Sequence, residues 1–241
     1  MEVRDIGYVC PNCKCTFEMP RWVIADMYKI IMSYSPIPKE ELELFKQLKD
    51  LKVIFDVGAR DDTNYLELWP EAEHHLFEPN PEFFEVLSEK VKDKPNVFAN
   101  NFGLGDKKED RGYHKYLQGF SGSGAVGDNT NLEWKLPLNT LGWYIEEKGI
   151  KQIDFLKIDT EGFDLKVLIG AYNWLGMIKF IQYEHWGEHN NKMTIGLLQD
   201  DFEIHNVGYR NMFCMNRKLV SEDERAELRE YIVNNKLCEL V

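Results

Sequence analysis

The chain shows a series of short apolar runs separated by stretches with helical spacing. Residues 53–58 form an apolar run that ends at glycine, which is typical of a strand buried on both faces of a parallel sheet. A second strand is predicted at residues 75–78, and a third near residues 96–99. Between them, Asn80 followed by Pro81 predicts the start of a helix. This alternation of strand and helix is the pattern of a doubly wound α/β sheet.

The pattern continues in the second half of the chain after a less regular middle. In that middle, residues 132–138 are predicted to be extended, residues 141–148 helical, and the glycine- and serine-rich residues 119–125 a flexible loop. Further strands are predicted at 153–159, 179–184, 202–207 and 211–215, and further helices at 163–169 and 221–235. Together these elements predict a Rossmann-like α/β fold with a doubly wound, mostly parallel, seven-stranded sheet.

The first 50 residues differ from the rest of the chain. Helices are predicted there at residues 21–33 and 39–50, on either side of a segment with two prolines, which cannot sit inside a helix. We therefore predict two regions: residues 1–50, a cysteine cluster with a small helical cap, and residues 51–241, the main domain.

Five cysteines form a separate question. Their odd number and the absence of a secretory signal argue against a disulfide framework. Cys10, Cys13 and Cys15 cluster, but structural zinc needs four ligands, and Cys214 or Cys238 would have to complete the site in space. Reduced thiols are the default interpretation, with zinc as the alternative.

Length and charge narrow the function. The 241 residues, 44% of them hydrophobic, suffice for one well-filled large domain. No run approaches the roughly 20 apolar residues of a membrane span, and a cytoplasmic protein is the simplest expectation. The formal net charge of −12 repels phosphate backbones, so nucleic acid is not expected as a substrate.

Acidic residues at the ends of the first two strands indicate a nucleoside cofactor. Asp56 and Gly58 end the first strand, and Glu78 ends the second about twenty residues later, where an acid can accept both ribose hydroxyls. This spacing fits NAD as well as S-adenosylmethionine (SAM). However, the loop has only the first glycine of a dinucleotide motif, and Asp61 and Asp62 would oppose a pyrophosphate. The acidic loop suits the cationic sulfonium and ammonium groups of SAM.

The ordered motifs resemble the FkbM-type methyltransferases, SAM-dependent enzymes of which many O-methylate sugars or other hydroxylated metabolites. The matching segments run from about residue 51 to residue 185, and they read Phe-Asp-Val-Gly-Ala at 55–59, Phe-Glu-Pro-Asn-Pro at 77–81, Leu-Lys-Ile-Asp-Thr-Glu-Gly at 156–162, Ile-Gly-Ala at 169–171 and Ile-Gln-Tyr-Glu at 181–184. The chain departs from the family pattern at Asp61 and Asp62, where a second glycine is usual, and at Gly142, where an aspartate is usual.

The candidate cofactor site collects residues at the ends of the first strands and of the strand at 153–159. Its members are Asp56, Gly58, Ala59, Glu78, Pro79, Asn101, Gly103 and Asp159. The resemblance implies that they bind SAM, which becomes S-adenosylhomocysteine (SAH) after transfer.

Four candidate catalytic residues follow the later strands. Asp159 and Glu161 come after one strand, and Glu184 and His185 end the next, so all four meet at one rim if the two strands are neighbours. A sugar hydroxyl needs a base or a metal ion to lower its pKa. We expect Asp159 or His185 to be the base, and Glu161 and Glu184 to orient the site or to bind a divalent cation such as Mg²⁺.

The sequence thus predicts SAM-dependent O-methylation of a sugar or glycan acceptor, and association with glycosyltransferases is plausible for such a domain. The alternatives are an RNA ribose 2′-O-methyltransferase, against which the acidic net charge counts, and a non-catalytic module that uses the SAM fold for binding.

Overall fold

The structure is a computed structural model that describes residues 6–9, 16–19, 39–113, 134–185, 188–208, 210–235 and 237. The predicted helix at 21–33, the predicted loop at 119–125 and the clustered cysteines therefore lie outside the described residues.

A seven-stranded sheet forms the centre of the domain. In chain order its strands are β3 (Val53–Val57), β4 (Glu73–Phe77), β5 (Val97–Asn100), β9 (Ile153–Ile158), β10 (Ile178–Glu184), β11 (Phe202–Asn206) and β12 (Asn211–Asn216). In space they lie in the order β11-β12-β10-β9-β3-β4-β5, and β12 runs in the opposite direction to the other six strands. The predicted doubly wound, mostly parallel sheet is confirmed.

The order of the strands locates the ligand end of the sheet. The chain moves outward from β3 to β4 and β5, and then returns to the other side of β3 with β9. The connections therefore diverge between β3 and β9, and open α/β sheets bind ligands at this switch point, beyond the carboxyl ends of the strands. Because β10 pairs with β9 in parallel, the residues that follow these two strands meet at one rim, as the sequence predicted.

Helices cover both faces of the sheet. In chain order they are α1 (Lys39–Phe45), α2 (Tyr65–Leu68), α3 (Pro81–Val91), α4 (Leu141–Lys148), α5 (Asp164–Gly170), a 3-10 helix (Tyr172–Met177), α6 (Glu188–Leu198) and α7 (Glu222–Asn234). The start of α3 confirms the sequence signal, because the Asn80 side chain accepts a hydrogen bond from the Glu82 amide and Pro81 is the first helical residue.

Alternate residues of the strands enter two different cores. Ile54, Phe155 and Phe180 pack on one face with Phe45 of α1, whereas the residues that follow them along each strand pack on the other. Helix α1 therefore contributes to the core of the main domain. No helix in the described segments is long and apolar enough to cross a membrane.

Two small sheets were not predicted from the sequence. Strands β1 (Ile6–Val9) and β2 (Thr16–Met19) pair antiparallel on either side of the clustered cysteines. Near the main sheet, β6 (Gly103–Gly105), β7 (Glu109–Tyr113) and β8 (Trp134–Thr140) form three strands in the order β6-β8-β7. β6 and β8 pair across about thirty intervening residues, a non-local contact that periodicity does not reveal.

Candidate functional site

Gly58 brings the loop after β3 into contact with the segment after β9. Its φ angle is +85°, and an added β-carbon would lie 1.9 Å from the backbone oxygen of Asp159. The two segments therefore approach each other as closely as backbones allow, and only glycine fits at this position. This contact joins the two loops at the base of the switch point.

A buried ion pair lies directly beneath the loop. Asp56 and Lys157 are register partners on β3 and β9, and the Lys157 ammonium lies 3.0 Å from the Asp56 carboxylate and donates to the Gly58 carbonyl at 3.0 Å. Burial by itself lowers the pKa of Lys157, but the charges of Asp56 and Asp159 outweigh it, so that the pKa is raised and the lysine stays charged. Lys157 thereby holds the loop in place.

Glu78 occupies the position expected of a ribose-binding acid, at the carboxyl end of β4. Its side chain is only 4% exposed, and its two carboxylate oxygens accept the amides of Arg60, at 2.9 Å, and Asn80, at 2.7 Å. Burial raises its pKa to about 7, although the two amides and Lys157 act in the opposite direction. The carboxylate is thus fixed at the mouth of the switch point.

The other residues of the predicted cofactor set position these groups. The Ala59 amide donates to the Phe77 carbonyl at 3.1 Å. The Asn101 side chain donates to the carbonyls of Glu78, at 2.9 Å, and Pro79, at 3.3 Å, and so braces the loop after β4. At Gly103, an added β-carbon would lie 2.6 Å from the Leu138 side chain, so this glycine serves the packing of β6 on β8.

Three of the four predicted catalytic residues interact at the rim formed by β9 and β10. The pKa of the Glu161 carboxyl is raised to about 7, first by burial and then by the charges of Asp159 and Glu184, while Arg60 and Lys157 oppose the rise. The φ angle of Glu161 is +54°, in the left-handed region that non-glycine residues seldom adopt. The structure therefore brings Asp159, Glu161 and Glu184 together, in a backbone conformation that strand patterns cannot predict.

Asp164 is a fourth carboxylate of the rim that sequence reasoning missed. It is buried at the first residue of α5, where it accepts the Thr160 hydroxyl at 2.8 Å and the Glu184 amide at 3.2 Å. Burial raises its pKa to about 8, with Asp159 as the next cause. Asp164 ties the segment after β9 to the end of β10. Acidic residues are common in the first turn of a helix, where they stabilise the helix, so the sequence position of Asp164 does not indicate a functional site.

In the described part of the chain, no hydrogen bond or ion pair joins His185 to these carboxylates. Its amide donates to the Arg210 carbonyl at 2.9 Å, and burial together with the charge of Arg210 lowers its pKa. His185 follows the last residue of β10, and its described contacts are with the segment that leads into β12.

A further buried carboxylate comes from α1. Glu41 accepts a short hydrogen bond from the Asn211 side-chain amide, and Asn211 in turn accepts the Gln182 amide at 3.2 Å. Gln182 is the register partner of Lys157, so polar side chains continue from the switch point across the sheet to the first helix. No sequence pattern predicts this connection, because it joins residues far apart in the chain.

The acidic loop itself is held by a lysine. Lys90 of α3 donates to the Asp61 carbonyl at 2.7 Å and lies 3.1 Å from the Asp62 carboxylate, while Asp62 also accepts the Thr63 amide at 2.8 Å. These two acids therefore shape the loop ahead of α2.

Two other expectations concern the metal and the aspartate that is usual at position 142. Among the described residues, no three or more histidine, cysteine, aspartate or glutamate side chains are arranged to hold a metal ion, and Cys214 is fully buried among apolar residues of the sheet.

At Gly142, an added β-carbon would lie 2.4 Å from the Trp174 ring. Trp174 thus occupies the space that an aspartate side chain would need.

Comparison with known proteins agrees with this geometry. The family model described as the methyltransferase FkbM domain matches residues 56–210. Hexuronic acid methyltransferase AglP from Haloferax volcanii is 26% identical over 144 residues, which make up 58% of this chain and 59% of that protein. The chain thus spans less than two thirds of the length of this relative.

Solved structures share the fold at low sequence identity. The crystal structure of methyltransferase FkbM from Methylobacillus flagellatus KT has a TM-score of 0.51 at 13% identity, over 70% of this chain and 47% of that chain. A Staphylococcus aureus structure named as a caffeoyl-CoA O-methyltransferase has a TM-score of 0.50 at 9% identity, over 81% of this chain and 91% of that chain. These likenesses show a Rossmann-like methyltransferase architecture.

Proposed function

Because the chain belongs to the FkbM methyltransferase family, we propose that it transfers a methyl group from SAM to a hydroxyl group of a sugar or glycan. The relative that methylates a hexuronic acid supports a carbohydrate acceptor. The observation that carries the proposal is the meeting of Asp159, Glu161 and Glu184 at the rim beside Gly58, because a hydroxyl acceptor needs a proton acceptor next to the methyl group.

The residues at the switch point fit SAM. The Glu78 carboxylate is fixed at the end of β4 by two amides, and each of its oxygens retains a second lone pair that can accept a ribose hydroxyl. A β-carbon at Gly58 would fill the narrow contact with Asp159. Asp159, whose backbone meets Gly58, places negative charge where the sulfonium and ammonium groups of the cofactor would be stabilised. SAM supplies an activated methyl group on a good leaving group.

We assign the proton acceptor to Glu161. A general base is most effective when its pKa lies near the working pH, and the pKa of Glu161 is raised to about 7 by burial and by Asp159 and Glu184. Asp159 and Glu184 then maintain this pKa and orient the acceptor. His185, which our sequence analysis named as an alternative base, has its described contacts with Arg210. Association with a glycosyltransferase remains a prediction.

The test is methyl transfer from labelled SAM to a panel of neutral and uronic sugars, with wild type and Glu161→Gln. We expect the variant to lose roughly 10²- to 10⁴-fold in kcat while its affinity for SAH, measured by calorimetry, stays the same, because the amide cannot accept the proton. The wild-type rate should rise with pH through about 7, since the base acts only when ionised.

Glu188→Gln is the matched control, because this glutamate is exposed on α6 and pairs only with Lys192 among the contacts described for it. A Glu161→Gln variant as active as wild type would contradict the assignment of the base. Absence of SAH binding to the wild type would contradict the cofactor, and would favour a non-catalytic module.

A further inference from the structure

The first three backbone amides of the loop after β3, those of residues 58–60, are engaged inside the protein. The Gly58 and Ala59 amides both donate to the Phe77 carbonyl, at 3.0 and 3.1 Å, and the Arg60 amide donates to Glu78 at 2.9 Å. In phosphate- and carboxylate-binding loops such amides point at the anion instead. At residues 58–60, an anion would therefore have to be bound by a side chain.

The amino-acid tail of SAM brings such an anion to the same loop. The sulfonium joins the ribose, the methyl group and the tail. With the ribose at Glu78 and the methyl group at the rim, the tail would start between these two places. Residues 58–60 connect these two places, because Gly58 touches Asp159 and the Arg60 amide reaches Glu78. The tail carries an ammonium, which suits the acidic rim, and a carboxylate, which the acidic rim repels.

Two cations lie close enough to the rim to act on Glu161, namely Lys157 and Arg60. Lys157 is buried and is bonded to Asp56 and to the Gly58 carbonyl, so it stabilises the loop from beneath. The Arg60 guanidinium lies 5.1 Å from the centre of the Phe83 ring, and its Nε is 3.4 Å from the Asp61 carboxylate. A guanidinium held against an aromatic ring still offers N–H groups at its edge, and these can bind a carboxylate through two parallel hydrogen bonds.

The backbone of Arg60 is also adapted to this place. Its φ angle is +56°, in the left-handed region, and this conformation accompanies the hydrogen bond of its amide to Glu78. One residue thus fixes the predicted ribose-binding acid through its amide and projects its side chain toward Phe83 and the rim.

We propose that Arg60 binds the carboxylate of the cofactor's amino-acid tail and so determines how that tail is seated. This inference rests on the proposed function, since it assumes SAM in the cleft. It gives the residue after Ala59 a role, because the arginine supplies the donor that the engaged amides of residues 58–60 do not.

Binding measured by calorimetry tests the proposal without any acceptor. SAH carries the amino-acid tail, and 5′-methylthioadenosine (MTA) has the same nucleoside without it. Arg60→Met keeps a β-carbon and a similar length, so the backbone strain is unchanged. We expect this variant to bind SAH roughly tenfold to a hundredfold more weakly than wild type, as for loss of a charge-assisted hydrogen bond, and to bind MTA as wild type does.

Lys90→Met is the control, since it removes a cation that holds the same loop through Asp61 and Asp62 but lies on α3. It should affect SAH and MTA equally. Equal weakening of both ligands by Arg60→Met would overturn the proposal, because Arg60 would then act on the loop or on Glu78. An unchanged SAH affinity would overturn it as well. Failure of wild type to bind either ligand would overturn the proposed function together with this inference.

Discussion

At the scale of residues, the geometry of the switch point depends on the absence of a side chain at Gly58. Gly58 combines a positive φ angle with a backbone neighbour at Asp159 that leaves no room for a β-carbon. Gly149 has a similar φ angle, +66°, but no atom within 4 Å of an added β-carbon. The two glycines therefore separate the energetic effect of backbone strain from that of steric overlap.

We predict that Gly58→Ala destabilises the protein by about 2–5 kcal/mol, and Gly149→Ala by only about 1 kcal/mol. The larger effect arises because the backbone of Asp159 must move, whereas Gly149 incurs only the strain of a left-handed alanine. Urea unfolding of both variants measures the difference. Equal effects would show that the contact between Gly58 and Asp159 relaxes easily.

At the scale of elements, α1 contributes to the core of the methyltransferase domain. Phe45 is fully buried, and its ring contacts Tyr65, Phe155 and Phe213 at centroid distances of 5.1–6.2 Å. Through Glu41 and Asn211 the same helix also reaches the polar side chains beneath the rim. The predicted boundary at residue 50 thus divides residues that share one core.

We predict that Phe45→Ala lowers the free energy of unfolding by about 3–5 kcal/mol, since a large cavity opens between α1 and the sheet. The matched control is Tyr172→Ala, because that aromatic side chain is 62% exposed and should change stability by less than about 1 kcal/mol. Chemical denaturation of both variants provides the test. A small effect of Phe45→Ala would mean that α1 detaches without disturbing the domain.

At the scale of the whole molecule, acidity is concentrated at the ligand end of the sheet. Burial and neighbouring carboxylates raise the pKa of Glu78 and Glu161 to about 7 and that of Asp164 to about 8. The folded protein therefore keeps protons that the unfolded chain releases near pH 4. Separately, the formal net charge of −12 argues against RNA as the acceptor, because a negatively charged surface repels a phosphate backbone.

This arrangement predicts how stability depends on pH. A group whose pKa is raised on folding contributes stability that is fully present below its unfolded value and is lost as pH rises through its folded value. For Asp164 that loss extends from about pH 4 to about pH 8. We expect the melting temperature of Asp164→Asn, relative to that of wild type, to increase as pH rises to about 8. The control is Asp106→Asn, at an exposed position, and its difference in melting temperature from wild type should stay constant over the same pH range. Parallel curves for all three proteins would contradict the raised pKa of Asp164.

Much of the fold was predictable because its signals are local. The apolar runs of β3, β9 and β10, the Asn80 cap of α3 and the spacing of Asp56 and Glu78 depend on neighbouring residues and on the periods of strands and helices. The meeting of Asp159, Glu161 and Glu184 followed from one further rule, that neighbouring parallel strands end at the same edge.

The sequence by itself thus determined the class of fold, the ligand end of the sheet and the acids that gather there. Only the tertiary structure decided which donors and acceptors meet. The left-handed backbones at Arg60 and Glu161, the place of Asp164 beneath Glu184 and the contacts of His185 with Arg210 arise from loop conformation and from contacts between distant segments. Such contacts depend on tenths of an ångström in packing, and the periodicity of a sequence carries no record of them.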